Sequence, residues 1–190
     1  MQTPLLQTVI EVHGGLERYH ATSAFDVSVH IAGPLFLMRL CSPLRRDLRL
    51  LVSTQTIGAT CSDWPRRGLN GVFASDEVRI VDAQRQVLQR RALPATLAFR
   101  TLVVKYPDQF PTHSPTQTFA FDGLGRLRRL DYTAHVFGDW ARAAHFCDEY
   151  ESFDGFLVST RRAACARISG GVLRSMPLLY GGVTACRALT

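Results

Sequence analysis

The sequence predicts a mainly β (α+β) fold: a curved antiparallel sheet forming a half-barrel or barrel with covering helices. Three observations carry this. Phe25, Val27, Val29 and Ile31 alternate with Asp26, Ser28 and His30, the period of a half-buried strand. The strand-like runs are short and separated by tight-turn residues, which favours pairing between sequence neighbours. A meander of many strands must hide its edges, by curling or by covering them with helix. A sandwich is the alternative packing.

At 190 residues the chain suits one domain, residues 1–190, with an apolar cavity inside the curled sheet. Its 46% hydrophobic and 20% charged residues exclude a disordered chain. No apolar run approaches the ~18 residues of a membrane span, and Met1-Gln2-Thr3-Pro4 lacks the cationic start of a secretory signal. The expected address is therefore cytoplasmic. Cys41, Cys61, Cys147, Cys165 and Cys186 are odd in number and widely spaced, which suits buried free thiols better than a disulfide framework or zinc knuckle. The formal charge of +6 rests on arginine, since Lys105 is the only lysine. Coding bias accounts for that most simply. The pairs Arg45-Arg46, Arg66-Arg67, Arg90-Arg91, Arg128-Arg129 and Arg161-Arg162 are scattered and lack stacking aromatics between them, so nucleic acid is not the expected partner.

Thr3 as N-cap, Pro4 at the first helical position and the stripe Leu5, Leu6, Val9 and Ile10 predict a helix ending before Gly14-Gly15, acting as plug or lid. After the strand over 25–31, Gly33-Pro34 breaks the chain, 35–40 resumes it, and a turn at 43–47 leads into a strand over 48–54. Residues 72–74 and 78–81 flank Ser75-Asp76-Glu77 as a hairpin, and Val87-Leu88 follows the next turn. Residues 97–106 read as extended, 118–121 follows, and Asp122-Gly123-Leu124-Gly125 turns into 126–137, a long hairpin. On its second arm Leu130, Tyr132, Ala134 and Val136 share one face, and Arg129, Asp131, Thr133 and His135 the other. Between 138 and 150 the pattern is ambiguous: Trp140, Ala144 and Cys147 fit a helical stripe, while 143–146 fits a strand. Residues 155–159, 161–168 and 178–187 read as strands, divided by Gly170-Gly171 and Pro177.

At Phe110-Pro111-Thr112-His113-Ser114, Phe119-Ala120-Phe121-Asp122, Leu127-Arg128-Arg129-Leu130-Asp131-Tyr132, Ala143-Ala144-His145, Phe153-Asp154-Gly155 and Thr160-Arg161-Arg162, the chain resembles a bacterial family without an established activity. Val12-His13-Gly14-Gly15 also fits. The family's sheet pattern is similar to that of the periplasmic lipoprotein carriers and of a violacein-pathway enzyme. The resemblance implies a curved antiparallel half-barrel, covered by helices, around an apolar cavity. It implies no reaction, because that scaffold serves both carriage and cofactor-free catalysis. The chain departs from the pattern in lacking an aromatic-rich stretch between Leu93 and Phe99.

The candidate catalytic residues are Asp131, His113, His145 and Tyr132, and the candidate ligand contacts are His135, Phe121, Trp140 and Arg161. Asp131 and His135 share one face about 13 Å apart at ~3.3 Å per residue. If that face lines the cavity, Asp131 serves as base, with Tyr132 added where a bulge re-aims it. If it lies outside, Arg129 and Asp131 form an ordinary exposed pair. His113 sits in a proline-flanked loop suited either to proton transfer or to plain turn chemistry. His145 follows two alanines, which leave room for a ligand or simply pack a core histidine. Of Arg161 and Arg162 only one can face inward, and Asp154 is the obvious structural partner.

The six histidines show no H-x-x-x-H spacing, and no G-x-S-x-G is present, so neither metal, cofactor nor hydrolase nucleophile is expected. Two functions remain. One is a cofactor-independent enzyme, a cyclase, isomerase or dehydratase, acting on a hydrophobic small molecule. The other is a non-catalytic binder or carrier of a lipid-like ligand.

Overall fold

The computed structural model describes residues 4–38, 45–74, 77–92, 116–134, 138–169 and 171–190. The extended run expected over 97–106, His113 and His135 lie outside them. Pro4 opens helix α1 (Pro4–Val12), which stops at Gly14 and Gly15, both at positive φ, before a short α2 (Leu16–Ala21). Strand β1 (Ala24–Ala32) follows, then α3 (Pro34–Met38). The resumed strand expected over 35–40 is thus corrected over its first part: Pro34 starts a helical turn instead of merely breaking the chain.

The sheet continues through β2 (Arg45–Ser53), β3 (Gly58–Ser62), β4 (Asn70–Ala74), β5 (Glu77–Val81) and β6 (Val87–Ala92). It resumes with β7 (Thr118–Phe121), β8 (Leu127–Thr133), β9 (Arg142–Phe153), β10 (Phe156–Ile168), the two-residue β11 (Gly171–Val172) and β12 (Leu179–Leu189). The strands pair in the order β6-β5-β4-β3-β2-β1-β12-β10-β9-β8-β7, with β11 added to β10. Every pairing among the described residues is antiparallel, from β1 with β2 and β12 outward to β5 with β6 and β7 with β8. The sheet is curved and unclosed, a half-barrel in which, among the described residues, the pairing longest in sequence joins β1 to β12. Residues 155–159 and 161–168 merge into β10, which pairs with β9 across Asp154 (φ 48) and Gly155 (φ 82). Two successive positive φ angles at Asp-Gly suit the right-handed twist of a two-residue hairpin.

Register assigns the two faces, because neighbouring partners share a side and residues alternate along each strand. One face carries Phe25, Val27, Val29 and Ile31 of β1, with Val52, Leu50 and Leu48 opposite them on β2. It continues through Cys186 and Val183 of β12 and, at the far flank, Leu130 and Tyr132 of β8. The other face carries the ion pairs. Asp26 accepts two hydrogen bonds from Arg49 and one from Arg187, which hold its carboxyl down to about 2 against partial desolvation. Glu77 lies between Arg79 and Arg90 on the same side.

Candidate functional site

The apolar face is incompletely covered. Among the described residues eight apolar side chains are buried, and they are divided between the faces: Ile80, Cys147 and Phe156 belong to the apolar face, and Ala32, Val81, Ala144 and Cys165 to the other. Along β1, Phe25, Val27, Val29 and Ile31 are only half-buried although the strand is central in the sheet, and so are Leu48, Leu50 and Val52 beside them. A central strand under a packed layer would have its apolar side removed from water. Neither α1 nor α2 buries a residue. Instead of lying over the sheet's centre, α1 reaches the turn at Gly125, where Thr8 is the nearest neighbour, and ends with His13 against Tyr150.

Two aromatic groups bound the uncovered strip. At one end Phe156 meets Phe25 edge to face at 4.9 Å, under the chain at Gly14, where an added Cβ would lie 2.8 Å from the Phe156 ring. At the other end the Arg46 guanidinium sits 4.5 Å from the Trp64 ring and 5.5 Å from that of Phe36 on α3. Trp64 lies directly on Gly71, where a Cβ would approach within 2.5 Å. From Phe25 to Ile31 the strip runs about 20 Å at ~3.3 Å per residue. Its side chains along that length are apolar.

Arg162 stands at the edge of this strip. Register places it on the apolar face between Cys147 of β9 and Gly181 of β12, it is exposed, and it forms no ion pair among the described residues. Its cross-strand partners are small. Burial pushes the Cys147 thiol up, and Arg162 partly offsets that. Burial likewise raises the Tyr150 phenol to about 12, with its hydroxyl donating to the Leu127 carbonyl.

The residues singled out in the sequence are distributed over both faces. Asp131 is on the ion-paired face, where Arg129 donates to it at 2.6 and 2.9 Å and Arg167 lies at 3.2 Å. This is the geometry of the paired alternative. Tyr132 and His145 share the apolar side on adjacent strands: Tyr132 is opposite Ala143, and His145 is opposite Leu130 and Ala164. Burial pushes the Tyr132 phenol up. Phe121 is half-buried on the edge strand β7, and Trp140 is 77% exposed in the turn before β9. Arg161 pairs with Glu149 at 3.0 Å, while the Asp154 carboxylate accepts the Ala188 amide; the expected Asp154 partnership is replaced by the nearer cross-strand acid. Sequence reading missed the aromatic–arginine stack at Phe36, Arg46 and Trp64, whose members lie far apart in sequence. It also passed over Arg162 in favour of its neighbour, although alternation along β10 separates the two.

No family model and no curated protein matches the chain. Solved structures do match, and two of them share most of their length with it. One is a LolA superfamily protein from Nitrosomonas europaea, with a TM-score of 0.54 and 10% identity, covering 97% of this chain and 93% of that one. The other is a DUF1329 family protein from Desulfovibrio piger, with a TM-score of 0.51 and 12% identity, covering 98% and 94%. The likeness is one of fold: a curved, unclosed half-barrel.

Proposed function

We propose that this protein is a non-catalytic binder or carrier of a lipid-like hydrophobic molecule, held along the apolar strip between Phe25 and Ile31. The observation that carries the reading is the incomplete burial of that strip in the middle of the sheet. An apolar ligand laid there removes from water a surface the protein's own helices leave uncovered. Likeness of fold to the LolA superfamily supports the same reading. The proton-transfer alternative has less support, since Asp131 faces away from the strip and is neutralised by two arginines. Cyclase or isomerase chemistry is accordingly set aside in favour of binding.

Two adjacent leucines provide the test. Leu50 belongs to the apolar strip, and Leu51 to the opposite face. A fluorescent fatty acid should bind the wild-type protein saturably, Leu50→Gln should weaken it, and Leu51→Gln should leave it intact. Equal effects of the two substitutions, or no saturable binding, would refute the reading.

A further inference from the structure

One end of the sheet carries an unusual surface. Register brings the start of β12 and the end of β1 together there (Ala32 opposite Tyr180), with the start of β9 and the end of β10 (Ala143 opposite Ala166). The β3–β4 and β5–β6 turns emerge at the same end, because Cys61 pairs with Gly71 and Asn70 with Val81. Five large apolar side chains project from this end: Leu37 (63% exposed), Trp140 (77%), Ile168 (55%), Leu173 (40%) and Met176 (70%). Ala141, next to Trp140, continues the register toward Ile168, and the turn bearing Leu173 and Met176 bonds back to β10 through Leu173 and Leu178 amides. Leu35 of α3 donates in turn to the Leu178 carbonyl, which ties the Leu37 turn to the same rim.

Arginines are exposed at the same end. Arg66, Arg67, Arg85, Arg142 and Arg174 are all exposed at this end. Two of the interspersed acids are turned into their own loops: Asp63 accepts the Gly68 amide, and Asp82 accepts those of Gln84 and Gln86. The opposite end differs in charge, with Glu11, Glu17, Glu151 and Asp154 exposed near α1, α2 and the β9–β10 turn.

We infer that this arginine-bearing end docks on the surface of an anionic lipid bilayer. Single exposed apolar residues are ordinary, but a tryptophan, a methionine and three aliphatics on one rim are an interaction surface. A tryptophan and guanidinium groups at one end match the bilayer interface, where the indole sits among headgroups and the cations meet lipid phosphate. A protein partner would ask for a surface that excludes water around a closed core; this rim spreads its apolar side chains over several turns and is basic, which a fluid anionic surface accommodates. The inference stands on the rim alone and does not require the ligand strip.

The test is sedimentation of purified protein with vesicles of phosphatidylcholine alone or mixed with phosphatidylglycerol, at low and high salt. Binding is expected to the mixed vesicles only and to fall with salt. Arg66→Gln with Arg67→Gln should lower the partition coefficient roughly fivefold per arginine. Trp64→Phe leaves Trp140 as the only indole, whose emission should shift to the blue on binding and be quenched by bromine-labelled acyl chains. Absence of binding to the mixed vesicles at low salt would overturn the inference. So would binding in which Trp140 stays unshifted, or self-association through the rim, read by analytical ultracentrifugation and abolished by Trp140→Ala without any vesicle binding. Retained fatty-acid binding in the rim variants separates failure here from failure of the ligand proposal.

Discussion

Enlarging a side chain inside the apolar strip distinguishes a filled core from a vacant binding surface. Val27 lies between Leu50 of β2 and Cys186 of β12, half-buried, and Val27→Phe adds four carbons at that point. In a close-packed interior such overpacking costs about 1–3 kcal/mol. On an uncovered strip the larger ring gains apolar burial, at most about 0.8 kcal/mol per fully buried carbon. Half-burial and the ordering of the ring reduce that gain, leaving the net change within about 1 kcal/mol of zero. Urea unfolding followed by circular dichroism measures it. The same ring occupies the ligand's place, so affinity for a fatty-acid probe should fall about tenfold, equivalent to about 1.4 kcal/mol. A stability loss above about 2 kcal/mol would mean that the strip is already filled by the protein's own side chains.

Four further outcomes follow from the same structure. Phe156→Ala removes a buried ring that closes one end of the strip, and should cost about 3–5 kcal/mol in urea unfolding. Asp26→Asn should lower stability at neutral pH. The folded-state pKa of Asp26, near 2, is below its unfolded value, so its contribution is present above about pH 4 and vanishes as pH falls through 2; wild type and variant should converge there. Tyr150 has the opposite sign: its folded pKa of about 12 exceeds the unfolded value near 10, so wild-type stability should decline between pH 10 and 12. Tyr150→Phe should lack that decline and lose about 1 kcal/mol at pH 7 with the Leu127 hydrogen bond. Arg162→Gln should weaken binding of an amphiphile bearing a carboxylate by roughly tenfold, about 1.5 kcal/mol for a charged hydrogen bond, and leave a neutral analogue unaffected.

The alternation at Phe25–Ile31 was legible because only one side of β1 is apolar, and the opposite side is committed to Asp26 and its arginines. The Asp122–Gly125 turn between β7 and β8 was legible for a local reason: the Asp122 carboxylate accepts the Leu124 and Arg126 amides. The ambiguity over 138–150 also has a physical cause. In β9 both sides are partly covered, with Cys147 buried on one and Ala144 on the other, where the Leu173–Met176 turn brings Arg174 over Phe146. Apolar residues then occur on both faces and the period of two disappears. β3 has little apolar signal of its own in Gly-Ala-Thr-Cys-Ser; its pairing with β2 and β4 defines it. For the site, sequence showed that the two faces of β8 differ, but the face that meets the strip is settled only by long-range pairing through β9, β10 and β12. That pairing turns Asp131 away from the strip and Tyr132 and His145 toward it.

The most direct measurement of the central claim is native mass spectrometry of protein purified without detergent or organic solvent. A lipid binder should retain a hydrophobic adduct at near-stoichiometric occupancy, lost in Val27→Phe while the fold persists. Apo masses throughout, together with delipidated protein that takes up no hydrophobic ligand, would contradict the account.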